Sequence, residues 1–347
     1  MENRKYDILS LTLDDVEKIV LELGEPRFRA KQIYGWIVKG MWGDEMRNIP
    51  SALQKKLEDV CEFRLPKVKR KLVSQIDGTV KYLFELIDGE YIESVFMKYE
   101  HGNTLCISSQ VGCRMGCKFC ASTLLGRVRD LTPSEMLGQI IAAQKDTGER
   151  ISNVVMMGIG EPLDNYDNTV KFLRLVSSVD GLNIGLRHIS LSTCGLVEKI
   201  ERLSNEELPI TLSVSLHAYD NDVRSEIMPV NNKYPIEALL KACNDYFQKT
   251  GRRISFEYTL INGKNDTQEG AAALAAILRR YIKGTCHVNL IPLNEVEETR
   301  LSTSKNVNGF KNKLIALGVN ATVRRRLGSD INASCGQLRR QEKKDER

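Results

Sequence analysis

Between residues 105 and 294, short apolar runs alternate with longer stretches whose apolar residues recur every three or four positions. The short runs predict strands, and the longer stretches predict amphipathic helices. Six strands are predicted, in the runs LCISSQV, NVVMMGIG, RHISLST, PITLSVSLHA, RISFEYTLI and CHVNLIPLN. These runs are almost continuously apolar, as in parallel strands that helices cover on both faces. The pattern therefore predicts an α/β fold of six β/α units in series.

Six β/α units form only part of a barrel. Repeated units of this kind curve a parallel sheet towards closure, and a full barrel has eight of them. We therefore expect a partial (β/α)6 barrel whose open side is covered by another part of the chain. In such folds the chemistry lies at the carboxyl ends of the strands.

The segments outside this barrel predict smaller units. Residues 1–66 have a helical pattern and form a predicted N-terminal accessory domain. Residues 67–98 alternate with period two around the turn signals Asp77-Gly78 and Asp88-Gly89, which predicts a β-hairpin extension. The core spans residues 99–329, and residues 330–347 hold a polar loop and a charged tail. We expect residues 341–347 to be disordered because they are almost all charged.

Composition places the chain among cytoplasmic proteins without a membrane partner. No stretch of about 20 apolar residues occurs, and the first residues are charged and so unlike a signal peptide. Nine cysteines in 347 residues is an odd and modest number, which argues against a disulfide framework. The net charge of +5 permits a nucleic-acid partner.

Cys113, Cys117 and Cys120 stand within eight residues in the run VGCRMGCKFCAS. Three thiolates on one loop can bind three irons of a cubic iron–sulfur cluster and leave the fourth iron open to a ligand. A structural zinc site is the alternative, but it is four-coordinate and usually combines two separated ligand pairs. No second pair follows at that spacing, so the motif favours a cluster that takes part in chemistry.

Polar residues stand where several predicted strands end. The run MMGIGEPLDN ends the second strand and contains Gly158, Gly160 and Glu161. The glycines permit close approach to a ligand, or simply form a tight turn, and the carboxylate can pair with an ammonium group. The other strand-end residues are Ser192, Thr193, Ser215, His217 and Asn294. Together they favour a ligand-binding ring over the barrel, although each alone has a structural explanation.

For three further residues the sequence must be weighed between a structural and a chemical role. Cys335 stands alone in a polar loop, which fits either a reactive thiol or an inert one. Cys106 precedes the cysteine motif on the first strand and by itself reads as a core residue. Glu93 lies in an apolar strand pattern, and the spacing alone favours a side chain that faces solvent over one with a raised pKa.

Basic and aromatic residues alternate in the N-terminal run EPRFRAKQIYGWIVKGMW. Such residues can neutralise phosphates and stack on bases, or they can form a small helical core with solvated charges. Arg324, Arg325 and Arg326 form a second basic run close to Cys335.

The motif CRMGCKFC after the first strand resembles the radical S-adenosylmethionine (SAM) superfamily. The runs IESVFMKY, LCISSQVGCRMGCKFCAS, MGIGEPLDN, SLST, SLHA, VNLIPLNEV and DINASCGQL resemble, in this order, the RlmN branch of the RlmN/Cfr methyltransferases. The resemblance covers nearly the whole chain, including FRAKQIYGWIVKG in the N-terminal domain.

The resemblance implies methylation of C2 of an adenosine in 23S rRNA, at the peptidyl transferase centre, and of the adenosine beside the anticodon in certain tRNAs. It implies a [4Fe–4S] cluster on Cys113, Cys117 and Cys120, and a one-electron reductant such as flavodoxin or ferredoxin. It also implies a SAM site lined by Gly160, Glu161, Ser192, Ser215, Leu216, His217 and Asn294.

The resemblance implies a covalent mechanism that uses two SAM molecules per turnover. The first methylates Cys335, and the second yields a deoxyadenosyl radical that takes hydrogen from this methyl group. The carbon radical adds to C2, Glu93 is the proposed proton acceptor, and Cys106 attacks the Cys335 sulfur to free the product and leave a disulfide. Two alternatives remain: Cfr-type methylation at C8 of the same adenosine, and an RNA-binding or electron-carrying iron–sulfur protein without methyl transfer.

Overall fold

The computed structural model describes residues 5–294, 299, 301–333 and 336–345. The N-terminal segment contains the elements β1 (Tyr6–Asp7), α1 (Leu13–Glu22), α2 (Phe28–Ile37), α3 (Ser51–Val60) and β2 (Cys61–Glu62). The strands β1 and β2 pair in parallel, so the two ends of this segment meet. Helix α1 begins with a capping box, because the Thr12 hydroxyl accepts the N–H of Asp15 and the Asp15 carboxylate accepts the N–H of Thr12.

Three antiparallel strands follow, β3 (Lys67–Val73), β4 (Val80–Glu85) and β5 (Tyr91–Met97). Gly78 and Gly89 have φ values of +70° and +79° in the two turns, where a residue with a Cβ would be strained. The inner strands β4 and β5 are almost entirely buried, whereas β3 is an exposed edge rich in lysine. Charged edges of this kind oppose pairing with other chains.

The barrel combines parallel strands with the helices that cover them. Its strands and helices in chain order are β6 (Thr104–Cys106), β7 (Gln110–Gly112), β8 (Arg127–Asp130), α4 (Pro133–Thr147), β9 (Asn153–Met156), α5 (Tyr166–Ser177), β10 (Ile189–Thr193), α6 (Val197–Leu203), β11 (Thr211–Ser215), α7 (Asn221–Ile227), α8 (Ile236–Thr250), β12 (Ile254–Leu260), α9 (Gln268–Tyr281), β13 (Cys286–Pro292), α10 (Val307–Ala316) and β14 (Ala321–Val323).

One ten-stranded sheet runs in the order β14-β13-β12-β11-β10-β9-β6-β5-β4-β3. The strands from β6 to β14 in this order are parallel, and the antiparallel strands β5, β4 and β3 extend the sheet beyond β6. The described sheet is open, so the predicted partial barrel with a helical N-terminal segment and a hairpin extension is confirmed. The strand β14 adds a seventh parallel strand, and the short helix α7, which has no clear apolar period, was not predicted.

The segment after β14 crosses the open side of the barrel to the hairpin. The carboxylate of Asp330 accepts hydrogen bonds from Ser74 Oγ at 2.7 Å and from the N–H of Gln75 at 2.9 Å. The N–H of Gly328 donates to Asp77 Oδ2 at 2.8 Å. We call residues 328–333 and their contacts with the hairpin the C-terminal clasp.

A last helix, α11 (Gln337–Asp345), packs against β5. The prediction that the tail from residue 341 is disordered is wrong for residues 341–345, which continue this helix. The apolar contact of Leu338 with Leu83 and Tyr91 anchors the helix, and composition alone does not reveal this tertiary contact. None of the described helices is long and apolar enough to cross a membrane.

Candidate active site

A cavity of about 580 Å³ lies at the carboxyl ends of the barrel strands. The predicted residues that line it are Cys106, Cys113, Cys117, Cys120, Gly160, Glu161, Ser192, Ser215, His217 and Asn294. Leu216 is fully buried behind this surface and does not line the cavity. The structure therefore brings together strand-end residues that are up to about two hundred positions apart in the sequence.

The cysteine loop is held by backbone hydrogen bonds and by apolar packing. The N–H of Cys113 donates to the Gly126 carbonyl at 3.2 Å, and the N–H of Lys118 donates to the Ile227 carbonyl at 2.9 Å. Met115 and Phe119 pack on an apolar cluster whose buried members are Cys194, Ile227, Met228, Ile261 and Leu293. This packing presents the loop to the cavity.

The three thiols lie in a poorly solvated environment that suits metal binding. Burial raises the pKa of Cys113 to about 12 and that of Cys117 well above its usual value. The neighbouring thiol of Cys120 contributes to both increases. A bound metal replaces such protons and removes the repulsion between the thiolates.

The arrangement of the thiols differs from a site for a single metal ion. Among the described residues, no three His, Cys, Asp or Glu side chains are arranged to hold one ion. A zinc ion binds each sulfur at about 2.3 Å, which draws its ligands tightly together. A cubic cluster binds each thiolate through a different iron, so its ligands stand further apart. Three thiols that line one cavity, Cys113 buried and Cys117 and Cys120 half-buried, fit the cluster in donor type and in location.

Glu161 presents a buried carboxylate to the cavity. Its Oε2 accepts the N–H of Cys194 at 2.7 Å, and its Oε1 accepts the N–H of Leu163 at 3.0 Å. Burial raises the pKa of Glu161, while these hydrogen bonds lower it. A carboxylate that is oriented and little solvated binds an ammonium group strongly.

The glycines before Glu161 are required by the packing of the backbone. A Cβ on Gly158 would lie 2.6 Å from the Ile107 carbonyl oxygen. Gly160 has a φ of +108°, and a Cβ there would lie 2.7 Å from the backbone nitrogen of Gln110. The structure therefore gives both glycines a structural role, and Gly160 also lines the cavity.

His217 is held as a neutral imidazole. Its Nδ1 accepts the N–H of Thr259 at 2.8 Å, so the ring proton is on Nε2. Burial, together with the positive charge of Arg224, lowers the pKa of His217 to about 3. The ring also makes an edge contact with Phe119, with the two centroids 4.9 Å apart. His217 can therefore act as a hydrogen-bond donor at neutral pH.

Glu93 is fully buried, so the reading that favoured solvent is wrong. Its Oε2 pairs with Lys81 Nζ at 3.2 Å and accepts the N–H of Gly336 at 2.9 Å. Its Oε1 accepts the N–H of Arg339 at 2.7 Å. Glu93 therefore caps the first turn of α11, immediately after residue 335. The apolar neighbours of Glu93 signalled burial, but the sequence did not show the partners.

Cys335 lies outside the described residues. Ala333 and Gln337, two residues away on either side, line the cavity. Gly336 packs closely on the loop that follows the cysteine motif, because a Cβ there would lie 2.8 Å from the backbone nitrogen of Ser122. Cys106, read from the sequence alone as a core residue, is mostly buried but lines the same cavity.

Several cavity residues were not predicted as site residues. Glu257 on β12 is buried and accepts a hydrogen bond from Asn289 Nδ2 at 2.7 Å. Burial raises the pKa of Glu257, and the positive charge of Arg324 lowers it. A carboxylate within the apolar run RISFEYTLI was the signal that could have identified it. Cys194, directly after β10, also lines the cavity, as do Arg324, Arg325 and Arg326.

Known families and proteins resemble this chain over nearly its whole length. The profile described as the radical SAM superfamily matches residues 107–275, and the profile described as the ribosomal RNA large subunit methyltransferase N-terminal domain matches residues 6–63. The chain is 51% identical over 337 residues to the probable dual-specificity RNA methyltransferase RlmN of Clostridium tetani, which covers 96% of each chain. It is 54% identical to the protein of the same name from Clostridium perfringens, again over 96% of each chain.

A solved structure has the same fold. The crystal structure of a radical SAM methyltransferase from Sphaerobacter thermophilus superposes with a TM-score of 0.90 at 41% identity. The match covers 96% of this chain and 98% of that chain. Radical SAM enzymes use a [4Fe–4S] cluster and SAM, and the three thiols and the strand-end cavity fit both. The chain is an enzyme and belongs to the RlmN family of radical SAM RNA methyltransferases.

Proposed function

We propose that this enzyme methylates C2 of an adenosine in 23S rRNA, at the peptidyl transferase centre, and the adenosine beside the anticodon in tRNAs. The observation that supports it best is the shared cavity, which joins the cysteine loop, Cys106 and the residues on either side of position 335. C2 of adenine is an electron-poor carbon. It does not react with a sulfonium methyl group, which is itself an electrophile, so a radical route is needed. A cavity that contains a cluster loop, Cys106 and the residues on either side of position 335 suits that route.

Cys113, Cys117 and Cys120 would hold the [4Fe–4S] cluster, and Glu161 would bind the ammonium group of SAM. Ser192, Ser215, His217, Asn294 and the backbone at Gly160 and Leu216 would orient the rest of SAM. When bound together, the cluster and SAM supply a deoxyadenosyl radical by one-electron cleavage. Met115 and Phe119, which pack on the neighbouring apolar cluster, make this end of the cavity apolar.

Cys335 would carry the methyl group and Cys106 would resolve the covalent adduct between enzyme and RNA. Two SAM molecules are needed per turnover because one methylates Cys335 and the other initiates the radical step. Glu93 would accept the proton from the adenine ring. The hydrogen bond from the N–H of Gly336 to Glu93 supports this role, because Gly336 directly follows Cys335 in the sequence.

The exposed face of α2 would contact the RNA, as expected for an accessory domain at residues 1–66. Phe28 is 57% exposed, and the Arg29 guanidinium lies 4.9 Å from its ring centroid. Lys39 lies over the ring of Trp36 in the same way, at 5.5 Å. Exposed rings beside cations can stack on unpaired bases and neutralise phosphates. The hairpin at residues 67–98, the core at 99–329 and the loop and tail at 330–347 complete the proposed domain organisation.

The cytoplasm would be the site of action, because both RNA substrates and one-electron donors such as flavodoxin or ferredoxin occur there. The function is tested by anaerobic reconstitution with iron and sulfide, followed by reaction with a protein-free 23S rRNA fragment, SAM and a strong reductant. Mass spectrometry of the digested RNA is expected to show 2-methyladenosine. Detection of 8-methyladenosine alone would establish the Cfr-type reaction instead, and failure to form 5′-deoxyadenosine would exclude the radical route.

Glu161→Gln is expected to weaken SAM binding about ten- to a hundredfold. Loss of a hydrogen bond to a charged group costs about 1.5–3 kcal/mol, and each 1.4 kcal/mol is a factor of about ten in Kd. Anaerobic calorimetric titration of the cluster-loaded protein with SAM measures this change.

The matched control for Glu161→Gln is Asp164→Asn on the same loop. The Asp164 carboxylate pairs with Arg114 and does not line the cavity, so SAM affinity should change less than about twofold. The melting temperature of both variants shows whether the fold is retained. This check is needed because the NH2 group of glutamine cannot accept the N–H of Cys194, and loss of that hydrogen bond can lower stability. An equal loss of affinity in both variants would show that the loop, and not the carboxylate, binds SAM.

A further inference from the structure

Arg224 on α7 is fully buried beside the cysteine loop. Its guanidinium has five N–H donors, and all of them are used. The acceptors are Leu216 O at 3.1 Å, Asn231 Oδ1 at 3.1 Å, Tyr234 O at 3.3 Å, Cys194 O at 2.8 Å and Ser215 O at 3.1 Å. The side chain therefore joins the carboxyl ends of β10 and β11.

All five acceptors are uncharged. Within the described ranges, no carboxylate forms an ion pair with Arg224. Glu161 is the carboxylate in the adjoining network, but it bonds to the N–H of Cys194, whereas Arg224 bonds to the carbonyl of that residue. Burial lowers the pKa of Arg224 to about 10, so the side chain still carries its charge at neutral pH. A buried charge without a counter-charge is unfavourable by several kcal/mol.

The cysteine loop is the part of the site that packs against the helix carrying this charge. The helix that carries Arg224 is tied to the loop, because the N–H of Lys118 donates to the carbonyl of Ile227 at its end. Pro229 lies 3.5 Å from the position of a Cβ on Gly116. These contacts hold the helix that carries Arg224 against the cysteine loop.

We propose that Arg224 is the buried counter-charge of the iron–sulfur cluster, and that it favours the reduced state of the cluster. The inference rests on the proposed cluster site at Cys113, Cys117 and Cys120. Three thiolates on a doubly charged cubic core leave a net negative charge, and reduction adds one more. A fixed cation in a medium of low dielectric constant stabilises the reduced form more than the oxidised form. Net charge and burial are among the factors that set cluster potentials.

A purely structural role for Arg224 makes a different prediction. If the side chain only holds five backbone and side-chain oxygens together, its charge has no effect on the cluster. Arg224→Lys separates the two roles, because lysine keeps the charge but cannot reproduce the planar five-donor geometry. Arg224→Met removes both the charge and the hydrogen bonds.

The experiment is an anaerobic redox titration of the reconstituted full-length protein, followed by the electron paramagnetic resonance signal of the reduced cluster. In Arg224→Met the ratio of reduced to oxidised cluster at a fixed potential should fall about tenfold, which is 59 mV for a one-electron couple. In Arg224→Lys the ratio should stay within about twofold of the wild-type value. The matched control is Arg252→Met, because Arg252 bonds to Ile210 O at the opposite end of β11.

Each outcome decides the inference. A wild-type potential in Arg224→Met would overturn it, and so would an equal shift in Arg224→Lys and Arg224→Met. If Arg224→Met does not retain iron, the reduction potential of Arg224→Lys tests the inference. A wild-type potential in the lysine variant is expected only if the charge of Arg224 acts on the cluster. If the wild-type protein itself assembles no cluster, the proposed function fails instead, and the iron content of that sample shows it.

Discussion

Cys106→Ala is expected to leave the enzyme covalently attached to its RNA. In the proposed mechanism the thiolate of Cys106 attacks the sulfur of Cys335 and breaks the bond between this sulfur and the transferred carbon. Alanine at position 106 lacks this nucleophile, so methyl transfer stops at the adduct and free product falls to background. Cys106 is mostly buried among Val95, Met97 and neighbouring apolar residues, and alanine is compatible with that environment. A denaturing gel with labelled RNA measures the adduct, and nuclease digestion with mass spectrometry locates it.

Cys243→Ala is the matched control for this variant. Cys243 is fully buried on α8 and does not line the cavity. Its replacement should leave product formation unchanged and should produce no adduct. Full turnover by Cys106→Ala would show that another group releases the product.

Glu93→Gln combined with Lys81→Met is expected to abolish product release while Cys335 is still methylated. The single change Glu93→Gln leaves the Lys81 charge buried, and breaking one side of such a pair costs about 3–5 kcal/mol. The double variant removes both charges, so α11 should remain docked although its cap is weaker. Without the carboxylate, no group takes the proton from the adenine ring. The measurements are the methylation of Cys335 with labelled SAM, and the yield of methylated RNA.

The two possible roles of Glu93 predict opposite results in the double variant. If Glu93 acts only by positioning α11, the double variant should still form product as long as α11 remains docked. If it accepts the proton, product should remain absent and the adduct should accumulate. Glu90→Gln is the control, because Glu90 pairs with Arg339 and Lys343 on the same helix. Product release should be unchanged in that variant.

The barrel was predictable because its strands have a strong local signal. The six apolar runs became β6 and β9 to β13, and the Asp-Gly turns separate β3, β4 and β5 as expected. The short helix α7 was missed because the run NDVRSEI has no apolar stripe. Its stability comes from tertiary contacts, above all those of Arg224.

The site was predictable in composition but not in its connections. The cysteine spacing and the polar strand ends identified many of the cysteine and polar residues that line the cavity. The environment of Glu93 was not predictable, since its partners Lys81, Gly336 and Arg339 come from two other segments. The same holds for Glu257 and Arg224, whose importance depends on burial and on the groups that tertiary contacts place next to them. Local patterns report neither property.

The C-terminal clasp has a consequence for how the protein is made. The hydrogen bonds of Asp330 with Ser74 and Gln75 join residues that are 256 and 255 positions apart. Contacts of such long sequence separation form late, and a nascent chain cannot form these until residue 330 has left the ribosome. Most strands of the barrel sheet emerge earlier, whereas Ala333 and Gln337, which line the cavity, emerge after them. A chain that is still being synthesised can therefore assemble its barrel before the cavity has all of its walls.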